Sequence, residues 1–413
     1  MAVFKRTTTP PGPISLLFDR LHQLHLQAGE PALRQIAAGL GPGVVSHATV
    51  HNAFAGPRVP KWGYLELIVE ELGGSIEEFR MLWLAARRAE RGSGTATNTK
   101  PITDSEPSAP PRAWKAATIL TGHHSYVSGV AFSPNGQLLA TTSGDTTARL
   151  WNPYTGEQMT PPLTGHRGPI WGAAFSPTGR LLATASTDTT VRFWDPSTGL
   201  PASHFPACEH DGYVVGIAFS LDGRRLATGG GDAQVRIWDL PNGVLLQDTL
   251  TGHSDTINDI AFSPRGLIAS ASEDRTVRLW IGGPGAQFAP PLVHHPASVA
   301  CVAFSADGRL LASGCDDGTV NVWNADTGEL VVGPLHGHTG PVWGVAFHPL
   351  GLLASGSRDR TIRFWDPSTG DPIGKPLTGH TNAINNIAIS PQGDILATPS
   401  DDDTARLWRP ECD

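Results

Sequence analysis

Seven tryptophans recur along most of the chain at an almost constant spacing. Neighbouring members are separated by 42 to 44 residues. They are Trp151, Trp194, Trp238, Trp280, Trp323, Trp365 and Trp408. A period of this length indicates seven copies of one supersecondary unit, because such a unit buries its apolar face only by stacking against its neighbours. The chain is therefore not expected to fold around a single compact core.

Three polar residues precede each tryptophan at fixed distances. A histidine stands 27 or 28 residues before it, a serine or threonine ten before it, and an aspartate six before it. The histidines are His123, His166, His210, His253, His295, His338 and His380. The hydroxyl residues are Thr141, Thr184, Thr228, Ser270, Ser313, Ser355 and Thr398. The aspartates are Asp145, Asp188, Asp232, Asp274, Asp317, Asp359 and Asp402.

These sets, which we call quartets, contain the residue types of a nucleophilic triad. A catalytic site occurs once in a chain, whereas the quartet occurs seven times at one spacing. We therefore interpret each quartet as structural. In each, the indole bonds to the hydroxyl, the hydroxyl to the imidazole and the imidazole to the carboxylate, so that buried polar groups are satisfied.

Between these positions each unit is predicted to form four short strands separated by turns. A Val-Ala-Phe strand such as 130–132 ends in a turn, followed by Leu-Leu-Ala-Thr/Ser, by Arg-x-Trp, and by a weaker fourth strand. The pattern resembles the WD-repeat family over about residues 114–410. That resemblance implies a β-propeller with one four-stranded blade per repeat and thus seven blades. We expect Ala116–Leu120 to be the outer strand of the seventh blade and to close the ring without a covalent bond.

The remaining chemistry-bearing residues show no pattern typical of an enzyme. The other histidines lack metal-ligand spacing, and the four cysteines show neither CxxC spacing nor the density of a disulfide scaffold, so we expect reduced thiols. No phosphate-binding loop is found. No stretch reaches the length of a membrane span, and the first twelve residues lack a signal peptide's pattern. We predict a non-enzymatic, cytoplasmic protein without cofactor, metal or membrane association.

In the WD-repeat family, three positions of each repeat often face partners. Two lie three and five residues after the quartet histidine, which we call the blade histidine, and the third is the residue just before the quartet aspartate. The resemblance therefore implies these partner-binding residues: Tyr126, Trp171, Tyr213, Asn258, Trp343, Arg358 and Asn385. Glu273, Asp316 and Asp401 would complete a rim of mixed charge. Large aromatic residues dominate the energetics of protein interfaces. The alternative is that Trp171 and Trp343 fill the central channel or pack on neighbouring blades.

The residues before the propeller differ in composition. Residues 1–91 carry a net charge of +2 and the rest of the chain −10. Helical periodicity over 13–91 predicts a bundle of five helices, and 92–113 has the composition of a flexible linker. The segments 36–41 and 45–50 place apolar residues as in a helix-turn-helix, and they resemble the Cro/phage-repressor class of bacterial proteins.

That second resemblance implies a recognition helix over 46–55 and contacts to double-stranded DNA. The DNA-binding candidates are Arg34, Ser46, His47, Thr49, His51, Asn52, Arg58 and Lys61. Two departures favour a protein-docking module instead. Residues 42–44 lengthen the turn, and the outward face of the helix lacks any Arg or Lys.

The sequence thus predicts a multidomain chain that joins a small all-α helix-turn-helix bundle (13–91) through a linker (92–113) to an all-β seven-bladed propeller (114–413). We expect a bacterial regulatory protein whose propeller binds a protein partner and whose helical domain binds DNA. The alternative is a pure protein–protein scaffold in a signalling complex. A hydrolase with its site in the channel would require an acid–histidine pair outside the quartets.

Overall fold

The computed structural model describes residues 21, 68, 69, 72, 114–202, 205, 208–240, 244–245, 249–281 and 287–411. The chain divides into two compact units, Met1–Asp104 and Ser105–Asp413. In the first unit the described positions are few: Leu21, Ile68 and Val69 are helical and buried. The predicted helix-turn-helix lies outside the described residues, as do all eight DNA-binding candidates. Among the described residues, no helix is long and apolar enough to cross a membrane.

In the second unit the described residues form 26 strands arranged in seven antiparallel sheets, one for each repeat. In chain order they are β1 (Trp114–Leu120), β2 (Val127–Phe132), β3 (Leu139–Ser143), β4 (Ala148–Trp151), β5 (Ile170–Phe175), β6 (Leu182–Ser186), β7 (Thr190–Trp194), β8 (Cys208–Glu209), β9 (Val214–Phe219), β10 (Arg225–Gly230), β11 (Arg236–Asp239), β12 (Val244–Leu245), β13 (Ile257–Phe262), β14 (Leu267–Ser272), β15 (Val277–Ile281), β16 (Val299–Phe304), β17 (Leu310–Cys315), β18 (Val320–Asn324), β19 (Leu330–Leu335), β20 (Val342–Phe347), β21 (Leu353–Ser357), β22 (Thr361–Trp365), β23 (Pro372–Thr378), β24 (Ala388–Ile389), β25 (Leu396–Pro399) and β26 (Ala405–Pro410).

Blades 1 to 6 follow the chain, each running outward from its innermost strand. They are β2–β4, β5–β8, β9–β12, β13–β15, β16–β19 and β20–β23. In blades 1 and 4, isolated bridges such as Ala148↔Leu163 and Val277↔Leu292 continue the sheet at its outer edge. Each innermost strand contacts that of the next blade, and the contact between β24 and β2 completes the circle. The predicted seven-bladed propeller is therefore confirmed.

Strand β1 closes the ring as the sequence predicts. It joins blade 7 outside β26, with Trp114 opposite Pro410 and Leu120 opposite Ala405. Two segments from distant parts of the sequence thereby share one sheet, and the outer edge of β26 is paired rather than exposed. The Trp114 ring also stacks on Phe364 of blade 6, with ring centroids 5.7 Å apart.

The apolar core is divided among the seven seams between neighbouring blades. Strands such as β3 and β6, each second in its blade, are buried at every residue, because both faces of the blade are covered. Their Leu-Ala-Thr sequences are small enough for close packing of the blades. Near the axis the approach is closer still: a Cβ on Gly129 would lie 2.6 Å from the carbonyl oxygen of Trp171 in the next blade. Each seam is formed by residues of two neighbouring blades, so no blade can bury its apolar side chains alone. This explains the need for a closed array.

Candidate functional site

The quartets form continuous hydrogen-bond chains in five blades. In blade 2 the Trp194 indole N–H donates to Thr184 Oγ1 at 2.9 Å, and Thr184 Oγ1 lies 2.8 Å from His166 Nε2. His166 Nδ1 lies 2.9 Å from Asp188 Oδ2. All three contacts measure 2.7 to 2.9 Å in blades 1, 2, 4, 6 and 7.

The arrangement gives the hydroxyl a structural role. With Nδ1–H donating to the carboxylate, Nε2 is the acceptor, so the hydroxyl donates to the imidazole and accepts from the indole. Thr184 is completely buried and Trp194 nearly so. An oxygen enclosed in this way cannot approach a substrate. The structural interpretation of the quartets is thus confirmed in these five blades.

Blade 3 corrects the prediction that all seven quartets are equal. His210 Nδ1 lies 3.4 Å from Asp232 Oδ2 and has no hydrogen-bond partner within the described part of the chain. The Asp232 carboxylate pairs instead with the Arg236 guanidinium, which also contacts Asp211 at 2.6 Å. The bonds from Thr228 to His210 and Trp238 are kept. A competing guanidinium therefore replaces the imidazole as the partner of the carboxylate.

Blade 5 departs from the pattern in another way. Asn321 stands where the other six repeats have arginine, and its amide Nδ2 lies 3.3 Å from His295 Nδ1. Nδ1 is therefore the acceptor, and Nε2 carries the proton toward Ser313 Oγ at 3.0 Å. Burial lowers the pKa of His295 to about 4. The asparagine was the visible sequence signal for this exception, and the predicted His295–Asp317 bond is absent.

The quartets make the fold sensitive to acid. Burial lowers the pKa of His123 and His166 in the folded protein, although their aspartates oppose the shift. Burial alone would raise the pKa of Asp188, but hydrogen bonds from Arg167, Thr190 and His166 bring it to about 2. The quartet histidines and aspartates are therefore harder to protonate in the folded protein than in the unfolded chain.

We accordingly expect the thermal unfolding midpoint to fall as the pH decreases. The histidine contribution is complete above the unfolded pKa of about 6.5 and is lost below it, and the aspartate contribution is lost below about pH 4. Scanning calorimetry between about pH 7.5 and pH 4 measures the trend. A midpoint that stays constant or rises on acidification would contradict the protonation states assigned here.

The seven innermost strands surround a central channel with a cavity of about 530 Å³. Residues from all seven blades line it. Of the predicted partner-binding residues, five line this cavity: Trp171, Tyr213, Asn258, Trp343 and Asn385. The other two contact its aromatic residues. The Tyr126 ring lies 5.6 Å from that of Trp171, and the Arg358 guanidinium carbon lies 5.3 Å from the Trp343 ring centroid. The structure thus brings all seven together at one end of the channel, which we call the channel mouth.

The aromatic residues at the channel mouth are partly exposed and held in place by neighbours. Tyr213 is 40% exposed, and its hydroxyl lies 3.0 Å from Thr256 Oγ1. Trp171 and Trp343 are half-buried. The Trp343 indole N–H donates to Asp316 Oδ1 at 3.0 Å. Both indoles pack on neighbours, as the alternative interpretation expected, yet each keeps an exposed part in the channel.

The two asparagines at the channel mouth bond to the next blade. The Asn258 amide donates to the carbonyl oxygen of Val299 at 3.1 Å, and the Asn385 amide to that of Val127 at 2.9 Å. Because the inner strands of neighbouring blades have no ladder between them, such bonds tie the blades together. These amide N–H groups are therefore already used within the propeller.

Asp259 is a channel residue that the sequence analysis missed. It stands six residues after the blade histidine, where four other repeats have glycine. Its carboxylate accepts from the backbone N–H of Ile260 at 2.8 Å and of Val302 in blade 5 at 2.9 Å. Burial raises the pKa of Asp259 to about 7. The signal that could have found it is this replacement of a small residue in an otherwise glycine-rich register.

A catalytic site among the described residues could use a metal-binding cluster or an acid–histidine pair in the channel. Within the part of the chain that the structure describes, no group of three His, Cys, Asp or Glu side chains could hold a metal ion. The cavity lining contains no histidine, so it lacks the acid–histidine pair that a hydrolase in the channel would require. Cys208, Cys301 and Cys315 are buried free thiols.

Comparison with known proteins identifies the repeat. The sequence model described as "WD domain, G-beta repeat" matches residues 114–152, 157–195, 203–239, 245–280, 289–324, 330–366 and 370–409. Similarity to individual proteins is local. A stretch of 73 residues is 41% identical to protein transport protein SEC13 of Chaetomium globosum and covers 16% of this chain and 25% of that protein. Another of 78 residues is 37% identical to pre-mRNA-splicing factor prp46 of Emericella nidulans and covers 17% of each.

A third match, to SEC13-1 of Candida glabrata, is 52% identical over 40 residues, which is 9% of this chain and 13% of that protein. The matched segments thus span a quarter or less of the length of these relatives. All three are fungal and give no support to the predicted bacterial origin. The family assignment rests on the seven matched repeats, which extend over more than half of the chain. The chain belongs to the WD40 family.

Proposed function

We propose that this protein is a non-enzymatic interaction scaffold whose channel mouth docks a protein partner. The observation that carries the proposal is the pair of half-buried indoles, Trp171 and Trp343, held at one end of a cavity on opposite parts of the repeat array. Membership of the WD40 family supports protein–protein interaction as the general role.

Physical chemistry favours the channel mouth over the rest of the propeller surface. Truncating a well-placed interface tryptophan commonly costs about 2 kcal/mol or more of binding free energy. Trp343 is fixed by the Asp316 hydrogen bond and the Arg358 contact, so little side-chain freedom is left to lose on binding. A rigid, partly exposed aromatic group therefore gives more affinity than a mobile one of equal area.

The relatives are named for protein transport and pre-mRNA splicing, and the matched segments cover a quarter or less of those proteins. The test is to immobilise the full chain, capture partners from its source, and compare native protein with a Trp171→Ala, Trp343→Ala variant. Equal retention by both would contradict the proposal.

DNA binding by the helix-turn-helix remains a prediction from sequence. Its eight candidate residues lie outside the described residues, and the relatives lend it no support. If the prediction is right, the full chain binds random-sequence duplex DNA at low salt and loses that binding as salt rises, because phosphate contacts release counterions. Electrophoretic mobility shift measures this. Absence of a shift at low salt would leave the pure scaffold as the better account.

A further inference from the structure

The side chains that line the cavity include more acidic than basic groups, and the Arg358 guanidinium lies beside this lining, over the Trp343 ring. The residues that line the cavity include three carboxylates, those of Asp259, Glu273 and Asp316, and no lysine, arginine or histidine. Glu273 and Asp316 are exposed and occupy corresponding loops of the neighbouring blades 4 and 5. Burial and the nearby charges of Asp255 and Asp316 raise the pKa of Glu273. These acidic groups therefore repel one another in the free protein, and a cation placed among them would relieve the repulsion.

A buried acceptor without a donor marks the same cavity independently. Asn385 is 9% exposed and lines the channel. Its amide nitrogen donates to Val127 O at 2.9 Å and to Asp401 Oδ1 at 2.7 Å, which fixes the orientation of the amide group. Its Oδ1 atom has no hydrogen-bond partner among the described residues. Leaving a buried acceptor unpaired is unfavourable. Because this oxygen has almost no accessible surface, a ligand N–H reaches it only after the Asn385 side chain shifts toward the cavity, and pairing the acceptor would favour that shift.

The aromatic residues at the channel mouth suit the same ligand. The Arg358 guanidinium lies over the Trp343 ring, while the indole N–H of that ring is bonded to Asp316. Indole faces attract cations because of their quadrupole, and Trp171 and Tyr213 offer further faces in the same lining. A group that combines positive charge, N–H donors and an apolar stem would meet all these features together.

A lysine or arginine side chain meets this description better than a metal ion or a nucleic acid. The carboxylates are not grouped as metal ligands within the residues that the structure describes. Phosphate groups would be repelled by the carboxylates. The cavity of about 530 Å³ is of the size that holds ligands in proteins, so an extended side chain can enter it.

We propose that the channel mouth recognises a protonated lysine or arginine side chain that the protein partner inserts toward Glu273, Asp316 and Asn385. This inference rests on the proposed docking function and specifies its chemistry. The aromatic residues at the channel mouth pack against the apolar stem of the inserted side chain and supply affinity. The carboxylates select a positive over a neutral or negative side chain.

The test uses the full chain and labelled degenerate peptide libraries with blocked ends and a central Arg, Lys, Gln or Glu. Fluorescence anisotropy at low salt is expected to show at least about fivefold tighter binding of the Arg or Lys library than of the Gln library. A Glu273→Gln, Asp316→Asn variant should lose this preference. The asparagine still accepts from Trp343, so the fold is kept. The matched control is Glu157→Gln, Glu329→Gln, which removes two exposed carboxylates elsewhere and should keep the preference.

Two results would overturn the inference: equal binding of the charged and neutral libraries, or an unchanged preference in the Glu273→Gln, Asp316→Asn variant. Equal loss in the control variant would also overturn it, because that result assigns the preference to general charge. If the preference is absent while the Trp171→Ala, Trp343→Ala variant still loses captured partners, docking stands and cation recognition fails. If neither variant has an effect, both proposals fail.

Discussion

Replacing Trp171 and Trp343 together by alanine is expected to weaken partner binding by roughly several hundredfold, since each truncation removes about 2 kcal/mol of interface energy. The fold should survive, because both indoles are only half-buried and neither belongs to a quartet. Quantitative capture on the immobilised full chain, with the thermal midpoint measured alongside, gives both numbers.

The matched control for this experiment removes exposed apolar side chains from other turns of the propeller. Leu200 and Leu221 are 64% and 58% exposed and do not line the channel. A Leu200→Ala, Leu221→Ala variant is expected to capture as much partner as the native chain. If this variant loses the partner while the double tryptophan variant retains it, the docking surface lies outside the channel mouth.

Replacing the quartet residue Trp194 by alanine has a different expected result, which is loss of stability. Trp194 is 1% exposed and lies in the seam between blades 1 and 2. Removing a buried large aromatic side chain costs about 3–5 kcal/mol, and here the Thr184 hydroxyl also loses its donor. We expect the thermal midpoint to fall by roughly 10 °C.

The single variant Trp171→Ala is the control for that measurement, because it makes the same chemical change at a half-buried position. Its midpoint should stay close to the native value. Similar losses in both variants would show that burial in the quartet does not distinguish the two tryptophans. The two experiments together separate the residues that hold the blades from those that bind.

The tryptophan period, together with the resemblance to the WD-repeat family, was sufficient to predict the blade number and the structural role of the quartets, which depend on spacings that the repeats share. The ring closure was predicted separately, from the position of the segment Ala116–Leu120 before the first blade histidine. The exceptions depend on contacts that no spacing shows. In blade 3 the Arg236 guanidinium reaches Asp232, although arginine occupies this position in five other repeats without breaking their quartets.

The candidate site shows the same distinction. The positions that face the channel mouth were implied by the resemblance to the WD-repeat family, since each such position occurs once in every blade. The charge balance of the channel mouth and the unpaired Asn385 oxygen could not be predicted, because they depend on which residues of other blades lie around the same cavity. Asp259 was missed because its carboxylate bonds to a backbone N–H some forty residues away in the chain.

Hydrogen–deuterium exchange of the full chain with and without its captured partner tests the central claim most directly. The account predicts that protection on binding is concentrated at the channel mouth, in the segments around Tyr126, Trp171, Tyr213 and Trp343 and in the loop that contains Arg358. Protection confined to the outer strands of the blades, or to residues 1–91, with an unchanged channel mouth, would contradict it.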